Sequence, residues 1–143
     1  MSAAVLYTPE VLAAAMGLAQ WPWDESLPLV GEARSRACGS TLSLGLALDG
    51  EGRIVRLGLR PHACAVGQAA AHIFATAAQG RTQADVAAAR AALSAWLAGE
   101  GDEPDWPGLA LLRKAKDYPA RHGAILLAWD AALAALAEPA KAG

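Results

Sequence analysis

The stretch "TLSLGLALDGEGRIVRLGLR", residues 41–60, constrains the fold more than any other part of the chain. Leu42, Leu44, Leu46 and Leu48 alternate with small or polar residues. Asp49-Gly50-Glu51-Gly52 then supplies turn chemistry, and apolar residues resume from Ile54 to Leu59. A period of two, a glycine-containing turn and a second apolar run predict a β-hairpin with one buried face. Ser43, Gly45, Arg56 and Gly58 fall on the opposite face and are expected to be at least partly exposed.

The rest reads as helix. Thr8-Pro9-Glu10 combines an N-cap, a proline at the first turn and an acid near the positive end of the dipole. That helix is expected to run to about Ala19, before the prolines of "WPWDESLP". Residues 24–40 read as an irregular approach to the hairpin. After it, a helix is expected over Ala65 to Ala78. Thr82-Gln83-Ala84-Asp85 resembles a capping box and opens a helix reaching about Ala98. A short helix follows around Leu109 to Lys116, and after "DYPARHG" comes a long final helix. Its residues Ile125, Leu126, Trp129, Leu133 and Leu136 recur at helical spacing and predict a buried stripe. Helix, hairpin, then helices is an α+β order: a small hairpin-based antiparallel sheet packed against several helices.

Composition narrows the function. The 143 residues are expected to form one domain spanning 1–143, and with 55% of them apolar a core is available without staples. The formal charge is −2 and the basic residues are scattered, the wrong footprint for nucleic acid. "VLAAAMGLA" follows Glu10 rather than a basic start, against a secretory leader. No stretch reads as an uninterrupted membrane span, since Asp130 breaks the last helix. The two cysteines cannot make a disulfide framework. The expectation is a cytoplasmic protein with reduced thiols and no membrane or nucleic-acid partner. There is no Ser-His-Asp arrangement, phosphate loop or paired-carboxylate constellation, so an ordinary enzyme is not expected.

Cys38 lies just before the hairpin and Cys64 just after it, so antiparallel strands are expected to bring both to one sheet edge. Cys64 also falls at a helix start, where free N–H groups and the dipole favour a thiolate, the nucleophilic and metal-binding form. Either cysteine by itself equally suits a buried packing role. Trp96 and Trp129 sit on helical stripes and read as core. Trp21, Trp23 and Trp106 lie in proline-containing loops, as site covers or as a partner surface. His72, eight residues beyond Cys64, reads as a surface or core histidine.

"RACGS", a hairpin, "HACAVGQAAA" and "YPARHGAILLAWDAAL" together resemble the iron–sulfur cluster assembly scaffold family, the IscU, SufU and NifU N-terminal group. The resemblance extends from about Leu6 to Leu136. The segment Gly99 to Asp117 resembles the insertion that marks the SufU branch, as do "Pro-x-Arg" and "Leu-Ala-Trp". It implies a scaffold, with Cys38 and Cys64 in the first two ligand positions. These thiols would accept sulfur from a cysteine desulfurase and hold iron or a transient [2Fe–2S] cluster for acceptor proteins.

The pattern is incomplete. The family's aspartate is Ser40 here and its third cysteine falls on Ala124. Two of four ligands remain where a [2Fe–2S] cluster takes four. "KDYPAR" replaces the leucine-proline tract that IscU-type members offer a chaperone. His122, two residues before the vacated position, is a candidate third ligand for iron or zinc, or a residue that caps or packs at the helix head. His62 is a further neighbour of Cys64. Ser40 is placed to hydrogen-bond a thiolate or to lead into the strand. Arg121 matches the family's basic residue near the site, placed to stabilise anionic sulfur. Three readings stay open: a scaffold or sulfur acceptor, a zinc-bound sulfur-transfer or interaction module of the same fold, and a non-metal binding or regulatory protein. A homodimer is one source of the missing ligands.

Overall fold

A computed structural model describes residues 7–36 and 39–137. Helix α1 spans Pro9–Met16, with Thr8 as N-cap: the Val11 N–H donates to Thr8 Oγ1 at 3.2 Å. The expected final turn is present but tightened to a 3₁₀ turn, Gly17–Gln20. Gly17 has a steric reason. A Cβ there would stand 2.4 Å from Cε1 of His72, whose ring packs against this turn.

The sheet has three strands rather than two. β1 (Leu29–Arg34), β2 (Thr41–Leu48) and β3 (Ile54–His62) lie in that order, all antiparallel. β1 falls in the segment expected to be irregular. Its side chains alternate, with Leu29 and Gly31 buried and Val30 and Glu32 exposed, but a glycine at the inward position leaves no apolar signal. Gly31 is needed there. A Cβ would meet the Ala131 carbonyl oxygen at 2.1 Å and the Ala135 nitrogen at 2.4 Å, so the final helix lies directly on this strand.

The leucine face behaves as its periodicity predicts: Leu42, Leu44 and Leu46 are fully buried. The outer face departs from expectation. Ser43 is half-buried and Arg56 exposed, but Gly45 and Gly58 are buried. Residues 21–27 cross over them. The Leu59 N–H donates to the Trp21 carbonyl at 3.0 Å, the Pro22 carbonyl stands 2.6 Å from where a Gly58 Cβ would be, and Leu27 fills the space above Gly45. At the hairpin end, Asp49 Oδ1 accepts from the Glu51 and Arg53 N–H groups, both at 2.9 Å.

Helix α2 (Ala65–Ala78) begins and ends where the sequence predicts. Helix α3 (Gln83–Leu97) opens on the full capping box of Thr82 and Asp85, whose carboxylate is held below the usual range first by the Thr82 N–H. Thr82→Ala is expected to cost about 1 kcal/mol in urea unfolding, the usual worth of a lost N-cap; an unchanged midpoint would deny the box its role. The short helix expected near Leu109 is a 3₁₀ helix, Leu109–Asp117, followed by a 3₁₀ turn, Pro119–Arg121.

The final helix, α4 (His122–Ala137), is central rather than striped. Ala124 through Trp129 are all buried, as are Ala131, Ala132 and Ala135. It packs on β1, β2, α2 and α3. By length and composition alone, Pro119–Ala137 would pass as a membrane-crossing helix, despite Asp130. In the fold it is the core helix, and Asp130 pairs with Arg90 of α3 at 2.8 Å. Trp129 meets Phe74 and Trp106 at centroid distances of 5.3 Å. Trp106, left open as a loop residue, is therefore core: 3% exposed, its Nε1–H donating to the Ile73 carbonyl at 3.0 Å. Trp21 packs on the His72 ring at 5.1 Å.

Candidate functional site

The hairpin brings its two flanks together as predicted. Thr41 pairs with His62, so the residues before β2 and after β3 leave the sheet from one edge. The loop before β2 is clipped at its base by two backbone hydrogen bonds. The Ser35 N–H donates to the Ser40 carbonyl at 2.8 Å, and the Gly39 N–H to the Ser35 carbonyl at 2.9 Å. Gly39 takes φ +70°, a left-handed conformation that suits glycine. Ser35 and Ser40 are both buried, 4% and 5% exposed. Cys38, between these fixed residues in sequence, lies outside the described residues.

Cys64 is the N-cap of α2, in extended conformation. Its carbonyl accepts from the Gln68 N–H at 2.9 Å, while the Gln68 side-chain amide donates to the Ala63 carbonyl at 2.8 Å. The thiol makes no capping hydrogen bond and is half-buried. The main chain and Gln68 thus order the helix start and leave the sulfur to other uses.

The head of α4 closes the same region. Gly67, in the first turn of α2, faces Ala124: a Cβ on Gly67 would stand 3.3 Å from the Ala124 Cβ. Gly123 lies against Ser35, whose Oγ is 2.5 Å from the position a Cβ there would take. Three segments distant in sequence therefore meet: the clipped loop, the start of α2 and the start of α4. The glycines at 67 and 123 carry these approaches. They went unread in the sequence, because a lone glycine in a helix does not name its neighbour.

His122 is the first residue of α4, half-buried, and its Nε2–H donates to the Lys116 carbonyl at 2.9 Å. In the neutral ring that leaves Nδ1 with the free lone pair. Arg121 is half-buried in the preceding turn, its N–H bonded to the Tyr118 carbonyl at 2.8 Å. His62 is exposed on the outer row of the sheet, and His72 is held in the α1–α2 packing. Ala124, where the resemblance would put a third cysteine, is fully buried. Among the described residues no three His, Cys, Asp or Glu side chains are grouped as a metal set.

An α+β unit with a three-stranded antiparallel sheet, a central C-terminal helix and a half-buried cysteine at a helix start by the sheet edge is the IscU/SufU-like class of fold. Solved structures bear this out. The N-terminal part of a NifU-like protein from Brucella abortus superposes with a TM-score of 0.84 at 27% identity, covering 93% of each chain. A protein described as an iron–sulfur cluster assembly scaffold for the SUF system, from Fervidobacterium islandicum, gives 0.82 at 22% identity over 94% of this chain and 99% of that one. No protein-family model and no curated protein sequence matches the chain. The resemblance read from the sequence thus holds for the fold over more than nine-tenths of the chain.

Proposed function

We propose that the chain, acting as a single domain in the cytoplasm, is a scaffold-like protein of iron–sulfur cluster assembly rather than an enzyme. Cys64 and Cys38 accept sulfur from a cysteine desulfurase and hold iron or a nascent cluster as cargo for acceptor proteins. His122 contributes Nδ1 as a third ligand. Ser40 and Arg121 support the anionic sulfur. The observation that carries this reading is the meeting of the Cys64 helix start, the clipped loop flanking Cys38 and the head of α4.

In sulfur transfer, a thiolate of this chain attacks the outer sulfur of the donor's persulfide. A new S–S bond forms, the donor's S–S bond breaks, and the donor cysteine leaves as a thiolate. A second reading, resident zinc with sulfur transfer, is favoured by one observation. His122 donates its other ring nitrogen to a carbonyl, the posture that orients metal-bound imidazoles. Two thiolates and an imidazole suit zinc with one open position, and zinc there would stabilise the thiolate form.

Anaerobic reconstitution with iron and sulfide separates the readings. The scaffold reading expects sulfur-to-iron charge-transfer absorption, reduced several-fold by His122→Ala. Stoichiometric zinc in protein grown without added iron, with persulfide on one cysteine, selects the zinc module. Neither metal nor persulfide in the wild type would leave a shared fold without shared chemistry.

A further inference from the structure

The arginines are not evenly neutralised. Of the nine in the chain, Arg53, Arg56, Arg90 and Arg113 each pair with a carboxylate, and Arg81 lies over Trp106. The other four, Arg34, Arg36, Arg60 and Arg121, have no carboxylate in ion-pair range among the described residues. All four belong to the end that carries Cys64. Arg34 and His62 flank Thr41 on adjacent strands, and Arg60 follows one step along the same outer face. At the spacings of a sheet these three lie within about 12 Å of one another. Arg36 adjoins Ser35 and Arg121 is two residues before Gly123, and Ser35 and Gly123 are in contact.

Four arginines and a histidine thus form a basic rim at the end of the sheet that carries Cys64, in a chain whose overall charge is negative. The acids placed with them are Glu25, bonded to Trp23; Glu32, which accepts from Ser43 Oγ at 3.3 Å; and the exposed Asp117. Arg60 is also seated, its guanidinium 4.3 Å above the Trp23 ring, whose own Nε1–H is held by Glu25. A cation stacked on a fixed aromatic is pre-positioned rather than freely solvated.

We propose that this rim docks an acidic segment of the protein that donates sulfur to Cys64, a deepening that rests on the function proposed above. Complementary charge raises the encounter rate and turns the donor toward the thiol, an effect that salt weakens.

The full chain, labelled with nitrogen-15, would be titrated with an acetylated hexaglutamate peptide at 50 and 300 mM NaCl. Shifts are expected at residues 34, 36, 60, 62 and 121, with affinity falling about tenfold at the higher salt. Arg34→Glu/Arg60→Glu should weaken binding at least about tenfold, and Arg53→Glu at the hairpin turn should not. If the reversed double variant fails to fold, Arg34→Gln/Arg60→Gln carries the same comparison. Shifts scattered over the surface, or unchanged in the double variant, would overturn the proposal. So would salt-sensitive self-association by sedimentation that the double variant abolishes, since a second copy would then occupy the face. In a second arm, sulfur transfer from a persulfide-loaded cysteine desulfurase should lose its salt dependence in the double variant. Peptide binding at the rim with no transfer to the wild type at either salt supports an acidic partner while removing the sulfur-acceptor reading.

Discussion

Replacing Gly31 by valine is expected to unfold the protein at room temperature or leave it barely stable. The position faces the backbone of α4, with the Ala131 carbonyl oxygen and the Ala135 nitrogen both inside 2.5 Å of any added Cβ. A flexible side chain could swing away from such a clash. A helix ladder cannot, and α4 is buried against the sheet, α2 and α3. The strand and helix must therefore separate, opening the core along Leu42, Leu44 and Leu46. Overpacking in tight cores costs 1–3 kcal/mol where side chains relax, so a loss of about 3 kcal/mol or more is expected against backbone. Urea unfolding followed by tryptophan fluorescence measures it. Val30→Ala, one residue away but exposed, should shift the midpoint little. A Gly31→Val midpoint near that of the wild type would mean that α4 does not lie on β1 as described.

The second large effect concerns sulfur. Cys64→Ala is expected to abolish persulfide formation and cluster reconstitution while leaving stability nearly intact. The thiol is half-buried and makes no capping hydrogen bond, and Gln68 and the backbone hold the helix start without it. Mass spectrometry after incubation with a cysteine desulfurase should show added sulfur on the wild type and at least about a hundredfold less on Cys64→Ala, with Cys38→Ala less severe. A smaller loss of at most about 1 kcal/mol is expected in urea, since little apolar surface is removed. Undiminished sulfur loading of Cys64→Ala would move the acceptor role elsewhere. A large stability loss would return Cys64 to a packing role.

Local chemistry made much of this fold legible in the sequence. Thr8-Pro9, Thr82 with Asp85, and the Asp49–Gly52 turn each satisfy their own backbone groups, so their positions follow from a few adjacent residues. The leucine alternation of β2 likewise needs no distant partner. What escaped depends on contacts remote in sequence. β1 was missed because Gly31 replaces an apolar side chain with the approach of a helix a hundred residues away. Gly45 and Gly58 read as exposed because nothing nearby announces that residues 21–27 cross over them. Trp106 sits in an acidic, proline-bounded loop, and partners remote in sequence, Phe74, Trp129 and the Ile73 carbonyl, turn it inward. In the candidate site, Cys64 as a helix cap was readable. That Nε2 of His122 is engaged with Lys116, leaving Nδ1, was not.

Burial of α4 on nearly every side also limits how the thiol end can respond to a visitor. A rod clamped along its length can neither slide by a turn nor roll without dismantling its whole seat, because close-packed interiors have no spare volume to yield. Any adjustment at that end therefore falls to the 3₁₀ turns that lead into His122, outside the helix's own seat. The helix itself is a fixed anvil.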